Sequence, residues 1–167
     1  MKKLNQHFAL WALLLLPLIA QAGALSCKHF EYESLDEERN AVLKKYENRD
    51  FEKLSDKEMY EVNQVNMMKS KTVCTVSGSL NEAFAIWRKD KKWGLGDSSA
   101  KFTQTLPAKN YKKKLNFKAY TATWEITRKG NQVVLEEAYE GMGYIVTTTT
   151  FTPNGNTVRI ESRTYSP

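Results

Sequence analysis

The chain has 167 residues, of which 41% are hydrophobic, 11% aromatic and 26% charged, and its formal net charge is +6. That balance excludes an intrinsically disordered chain, which lacks the apolar side chains needed to offset chain entropy, and the length predicts one compact domain rather than several. The modest basic excess suits anionic partners without selecting one of them.

The N-terminus reads as a secretory signal peptide. Met1-Lys2-Lys3 supplies positive charge, residues 8–20 carry six leucines and no charged side chain, and small-x-small exits follow at Ala20-Gln21-Ala22 and Ala22-Gly23-Ala24. An apolar run of about 13 residues is too short to cross roughly 30 Å of hydrocarbon as a helix. The expected division is therefore a signal peptide over residues 1–22, cleaved after Ala22 or after Ala24, and a single mature α+β domain over residues 23–167. Removal of Met1 to Ala22 takes away Lys2 and Lys3 and no acid, leaving 23 basic against 19 acidic side chains, a net charge of about +4. The expected address is the periplasm or the medium, with no transmembrane segment after processing.

Ala24-Leu25-Ser26-Cys27 is a poor lipidation box, since leucine is missing three residues before the cysteine. Lipidation would also leave Cys74 unpaired in an oxidising compartment. Two cysteines in an exported chain read more simply as one disulfide, Cys27 to Cys74.

Residues 33–71 are expected to form a helical hairpin. Ser34 to Glu37 and Ser55 to Glu58 both have capping-box spacing. Leu35, Val42, Leu43 and Tyr46 form one stripe near a 3.6-residue period, and Met59, Val62, Val65 and Met68 form another, both expected to bury against a sheet. Beyond Lys71 the texture turns β-rich. Strands are expected over residues 72–77, 83–89, 100–105, 117–127, 132–140, 144–152 and 157–165, divided by turn-forming segments such as Arg128-Lys129-Gly130-Asn131 and Gly141-Met142-Gly143. Tight turns imply antiparallel pairing. For the last hairpin a two-residue Asn154-Gly155 turn is expected, which pairs Phe151 with Val158, Thr149 with Ile160 and Ile145 with Thr164 and leaves Thr148, Thr150, Arg159, Glu161 and Arg163 on the wet face. The predicted architecture is α+β, with an N-terminal helical hairpin packed on a curved antiparallel sheet and stapled by one disulfide.

No motif dictates a reaction, and no catalytic residue, metal ligand or cofactor is assigned. His29 is the one histidine left after processing, and neither a nucleophile motif nor metal-ligand spacing accompanies it. Glu125, Glu136, Glu137, Glu140 and Glu161 fall on expected strands, where two facing one cleft would serve a glycan hydrolase. Apolar Tyr120, Trp124, Ile126, Val133, Leu135 and Tyr139 would line a pocket if the helical hairpin closed over the sheet, which defines a small-ligand carrier.

The most distinctive feature is basic and aromatic. Residues 87–93 and 109–114 place seven lysines and one arginine among Trp87, Trp93 and Tyr111. Trp87, Arg88, Lys91, Lys92, Trp93, Tyr111, Lys112, Lys113 and Lys114 are the expected binding residues, on loops suited to an anionic envelope component or an acidic protein surface. Export removes nucleic acid as the expected native partner. The leading expectation is a non-enzymatic binding module of the inhibitor, immunity or envelope-accessory type; oligomeric state is left open.

Overall fold

The computed structural model describes residues 25–90, 101–141 and 143–166. Strand β1 (Ser26–Glu31) leads through a 3-10 turn (Tyr32–Leu35) into helix α1 (Asp36–Leu43). Two further 3-10 turns precede helix α2 (Asp56–Met67), which runs straight into strand β2 (Met68–Ser77). Helix α3 (Leu80–Asp90) follows, and then β3 (Tyr111–Asn116), β4 (Thr121–Lys129), β5 (Gln132–Glu140), β6 (Tyr144–Asn154) and β7 (Thr157–Tyr165). All seven strands form one antiparallel sheet in the order β1-β2-β7-β6-β5-β4-β3. The molecule is α+β, with the sheet dominant.

The sheet order explains α3. Strands β2 and β3 are consecutive in sequence around α3 but sit five strand spacings apart, roughly 24 Å at about 4.8 Å per strand. The chain must cross a sheet face to connect them. Residues 83–89, expected to be a strand, are helical instead, and the reason is local. Ser79 and Glu82 form a capping box: the Ser79 amide donates to Glu82 Oε2 at 2.7 Å and the Glu82 amide donates to Ser79 Oγ at 3.3 Å. Behind it Leu80, Ala83, Phe84 and Trp87 recur at helical spacing and meet the sheet. The Phe84 and Trp87 rings lie 5.6 Å and 5.3 Å from that of Phe151. Val76, Val133, Leu135, Trp124, Ile126 and Ile160, at most 1% exposed, complete this core.

The expected strand over residues 117–127 is also redrawn. Phe117 to Tyr120 form a turn closed by the Phe117 amide donating to the Tyr120 carbonyl at 2.8 Å, with the two rings stacked 4.7 Å apart. The strand begins after that turn, at Thr121, and the lysines of residues 112–114, expected in a loop, form β3. Residues 101–105 are irregular rather than extended; residue 100 lies outside the described residues.

Helices α1 and α2 do not bury their stripes against the core face. No residue of α1 is buried and Val62 alone is buried in α2. They join the opposite face of the sheet, through a small cluster of Leu35, Met68 and Tyr165 and through Glu38, which binds Lys71 and Arg163. The segment that follows α1 is tied to α2 by polar contacts: Lys45 and Tyr46 donate to Glu61 at 2.7 and 2.9 Å, and Arg49 donates to Glu58 at 2.6 Å. The Ser55–Glu58 capping box forms as expected. The Ser34–Glu37 box does not, because a 3-10 turn intervenes and Ser34 Oγ donates to the Glu31 carbonyl instead.

Cys27 and Cys74 are register partners across β1 and β2 and are joined by a disulfide. The last hairpin turns at Gly155-Asn156, with Asn154 paired to Thr157 and Phe151 to Ile160. The expected register was therefore two residues off, with Thr149 facing Ser162 and Thr147 facing Thr164. A shift of two preserves the faces, so Arg159, Glu161 and Arg163 are still opposite the core. Gly155 adopts φ +58°, the left-handed conformation that a tight hairpin turn needs and glycine takes without strain.

Candidate functional site

The basic and aromatic residues do not share one loop. Trp87 and Arg88, on the last turns of α3, are 4% and 9% exposed. Trp87 packs edge-on against Phe151. Arg88 lies with its guanidinium carbon 4.9 Å from the Trp124 ring and donates through Nε to the Thr103 carbonyl at 3.2 Å. Burial lowers the Arg88 pKa, opposed by the field of Glu137 and Tyr139. Lys91, Lys92 and Trp93 lie outside the described residues.

Tyr111, Lys112, Lys113 and Lys114 form most of β3, the last strand of the sheet order. Alternation divides them: Lys112 and Lys114 are exposed, while Tyr111, Lys113 and Leu115 are half-buried on the side of the core. Lys112 Nζ donates to Glu125 Oε2 at 2.5 Å across the strand pair, which raises the lysine pKa. Lys113 Nζ donates to the Lys101 carbonyl at 2.7 Å, and Lys101 in turn sits 5.0 Å from the Phe117 ring centre. Lys109 and Lys118 are exposed at the two ends of the strand. One edge of the sheet thus gathers Lys101, Lys109, Lys112, Lys113, Lys114 and Lys118, with Glu125 as the carboxylate bonded to one of them.

The strand glutamates separate by face. Glu125 and Glu136 are register partners on the face away from α3. Glu140 is exposed at the end of β5. Glu161 is held by Arg159 at 2.5 Å and by Arg163 at 2.7 Å. Only Glu137, among these five, points into the core, where it is 1% exposed and accepts a 3.4 Å contact from the Tyr139 hydroxyl. Burial first, and the field of Glu137 next, push the Tyr139 pKa up.

Trp124, Ile126, Val133 and Leu135, expected to line a carrier pocket beneath a helical hairpin, are core residues, 0% exposed on the face that α3 covers. Tyr120 and Tyr139 border the same core. His29 lies on β1 with Nδ1 2.9 Å from Thr72 Oγ1. No group of three metal-ligating side chains occurs among the described residues, and no helix among them is long and apolar enough to cross a membrane.

The interior position of Arg88 is not apparent from sequence, where Trp87-Arg88-Lys89 resembles a strand end opening into a basic loop. The helical phase of Ala83, Phe84 and Trp87 carried the missing signal. Comparison of the chain with protein-family models, with curated proteins and with solved structures finds no match. The fold and the site define an α+β protein with helices on both faces of a seven-stranded sheet and a lysine-rich edge.

Proposed function

We propose that this chain is an exported, non-enzymatic binding protein that presents the β3 edge to an anionic partner, either an envelope component or an acidic protein surface. The observation that carries the reading is the concentration of six lysines on and beside one edge strand, with one bonded carboxylate, Glu125, among them. Cations gathered along one edge raise the encounter rate with an anionic surface and help to orient it. The half-buried Tyr111 ring gives the patch an amphipathic element. The N-terminal signal pattern supports export, and the Cys27–Cys74 disulfide suits an oxidising compartment.

Lysine on an edge strand also discourages sheet-to-sheet pairing, and the two roles are separable. Lys112, Lys113 and Lys114 are replaced together by serine, and binding to immobilised lipopolysaccharide and to poly-glutamate is measured at low and high salt. The proposal expects strong binding of the unaltered protein at low salt, lost in the triple variant. At about 0.1 M salt the Debye length is roughly 10 Å, so the difference narrows as salt rises. A triple variant that self-associates but binds both probes as before would overturn the proposal and leave edge protection as the role of the lysines.

A further inference from the structure

The other end of the sheet carries a second cationic feature, on the face away from α3. Strand register puts Ser26, Thr75 and Arg159 in one row across β1, β2 and β7, Lys28, Val73 and Glu161 in the next, and Phe30, Lys71 and Arg163 in the third. Ser26, Lys28, Phe30, Lys71, Thr75 and Arg159 line a groove of about 380 Å³ over these rows. Its charges are unequally committed. Lys71 donates to Glu38 at 2.6 Å and is only 17% exposed, and Arg163 is shared by Glu38 and Glu161. Arg159 reaches Glu161 with one nitrogen while its side chain stays 54% exposed. Lys28, exposed on the edge strand, makes no ion pair with a described residue. The constellation holds four cations, Lys28, Lys71, Arg159 and Arg163, against two carboxylates, Glu38 and Glu161.

We infer that this groove binds a phosphomonoester. The free donors are of three kinds and come from three strands: the Lys28 ammonium, the remaining guanidinium N–H groups of Arg159, and the hydroxyls of Ser26 and Thr75 on the floor between them. A phosphate offers three terminal oxygens and up to two negative charges, which matches that donor set and the surplus of two cations. A carboxylate offers two oxygens and one charge and would leave part of the set unmet. Phe30, whose ring centre lies 6.0 Å from Lys71 Nζ, forms an apolar wall at one end of the groove, so an ester with an apolar substituent should bind better than the bare ion. The Cys27–Cys74 bond crosses the sheet between the Ser26–Thr75 and Lys28–Val73 pairs and fixes the spacing of the floor. This site is separate from the β3 edge and stands whether or not that edge binds anions.

The test is a titration of the oxidised protein with inorganic phosphate and with phenyl phosphate, followed by amide chemical shifts. Shifts are expected at residues 26–30, 73–75 and 159, with phenyl phosphate the tighter ligand. Lys28→Ser and Arg159→Ser should each weaken phenyl phosphate roughly tenfold or more, the loss of one charge-assisted hydrogen bond, whereas Lys129→Ser removes the same charge from an exposed position outside both sites and should leave it unchanged. Sedimentation with vesicles containing phosphatidic acid identifies the source of the group: Lys28-dependent sedimentation assigns a lipid headgroup, and phenyl phosphate binding without it assigns a soluble ester. Absence of shifts at the groove, or equal weakening by Lys28→Ser and Lys129→Ser, would overturn the inference.

Discussion

Trp87 meets the ring of Phe151 edge-on, with centroids 5.3 Å apart and planes inclined at 86°. The contact joins the helix that crosses the sheet to the sixth strand, and it converts a residue that looked like part of a binding loop into part of the core. Aromatic pairs in this geometry add about 0.5–1.5 kcal/mol to what area burial provides.

Trp87→Ala should therefore destabilise the fold by about 3–5 kcal/mol, as large aromatic truncations in a core do. Phe84→Ala, one residue group along the same helix face, should cost a similar amount. Urea unfolding of the purified variants measures both. A Trp87→Ala protein as stable as the parent would show that the ring is not a core element.

The disulfide should act on stability alone. It closes a segment with a sequence separation of 47, for which chain entropy predicts roughly 4 kcal/mol. Cys27→Ala and Cys74→Ala should each lower stability by a few kcal/mol, the second somewhat more because Cys74 is buried in the core while Cys27 is exposed, and the double variant should match Cys74→Ala. A Cys27→Ala protein as stable as the parent in thermal melts would show that the bond does not carry this stability.

Processing makes a direct mass prediction. Protein recovered from outside the inner membrane should begin at Gly23 or Leu25 and weigh two hydrogens less than the reduced chain. Lipid-modified Cys27 would contradict it.

Acid should loosen the helices before it loosens the core. Backbone and hydroxyl hydrogen bonds from Ser55, followed by Arg49, hold the Glu58 carboxyl down to about 2. Burial would raise Glu161, but its bonds to Arg159 and Arg163 outweigh burial and keep it below the ordinary value. Glu38 behaves in the same way, with Lys71 and Arg163 as partners. Depressed folded-state values mean that these carboxylates stabilise the fold above the unfolded value near 4.5 and lose that effect as pH falls through the folded value. Glu161→Gln should cost about 1 kcal/mol at neutral pH, the order of a charge-assisted bond, and should show a flatter stability profile below pH 5 than the parent. Parallel profiles for the two proteins would refute the assignment.

The sheet was legible in sequence where turns were short and side chains alternated. Gln132 to Glu140 and Thr157 to Tyr165 begin and end as expected, because glycine-containing turns and β-branched runs mark them locally. The region of the site was less legible, for two physical reasons. Ala83 to Lys89 mixes small and aromatic residues that suit either period over seven positions, and the deciding signal, Ser79 with Glu82, lies just upstream of that window. Lys112 to Lys114 has too little apolar content to read as a strand. Its alternation of exposed and half-buried lysines appears only once β4 lies beside it. The faces covered by each helix are set by tertiary packing, and no stripe on α1 or α2 specifies them.

Strand β2 lies between β1 and β7, so the sheet joins its N-terminal pair to its five-strand meander along a single seam. Cys74 there faces Ile160, near the opposite end of the chain. Such distant pairing carries a large loop-closure entropy and slows folding, whereas β3 to β7 can assemble by successive hairpins. A chain that emerges N-terminus first presents β2 long before β7 exists. Until β7 is complete, the open flank of β2 is a template for mispairing. Early oxidation of Cys27 with Cys74 would preassemble the β1–β2 pair and leave one docking step, the closure of β2 on β7, to finish the sheet.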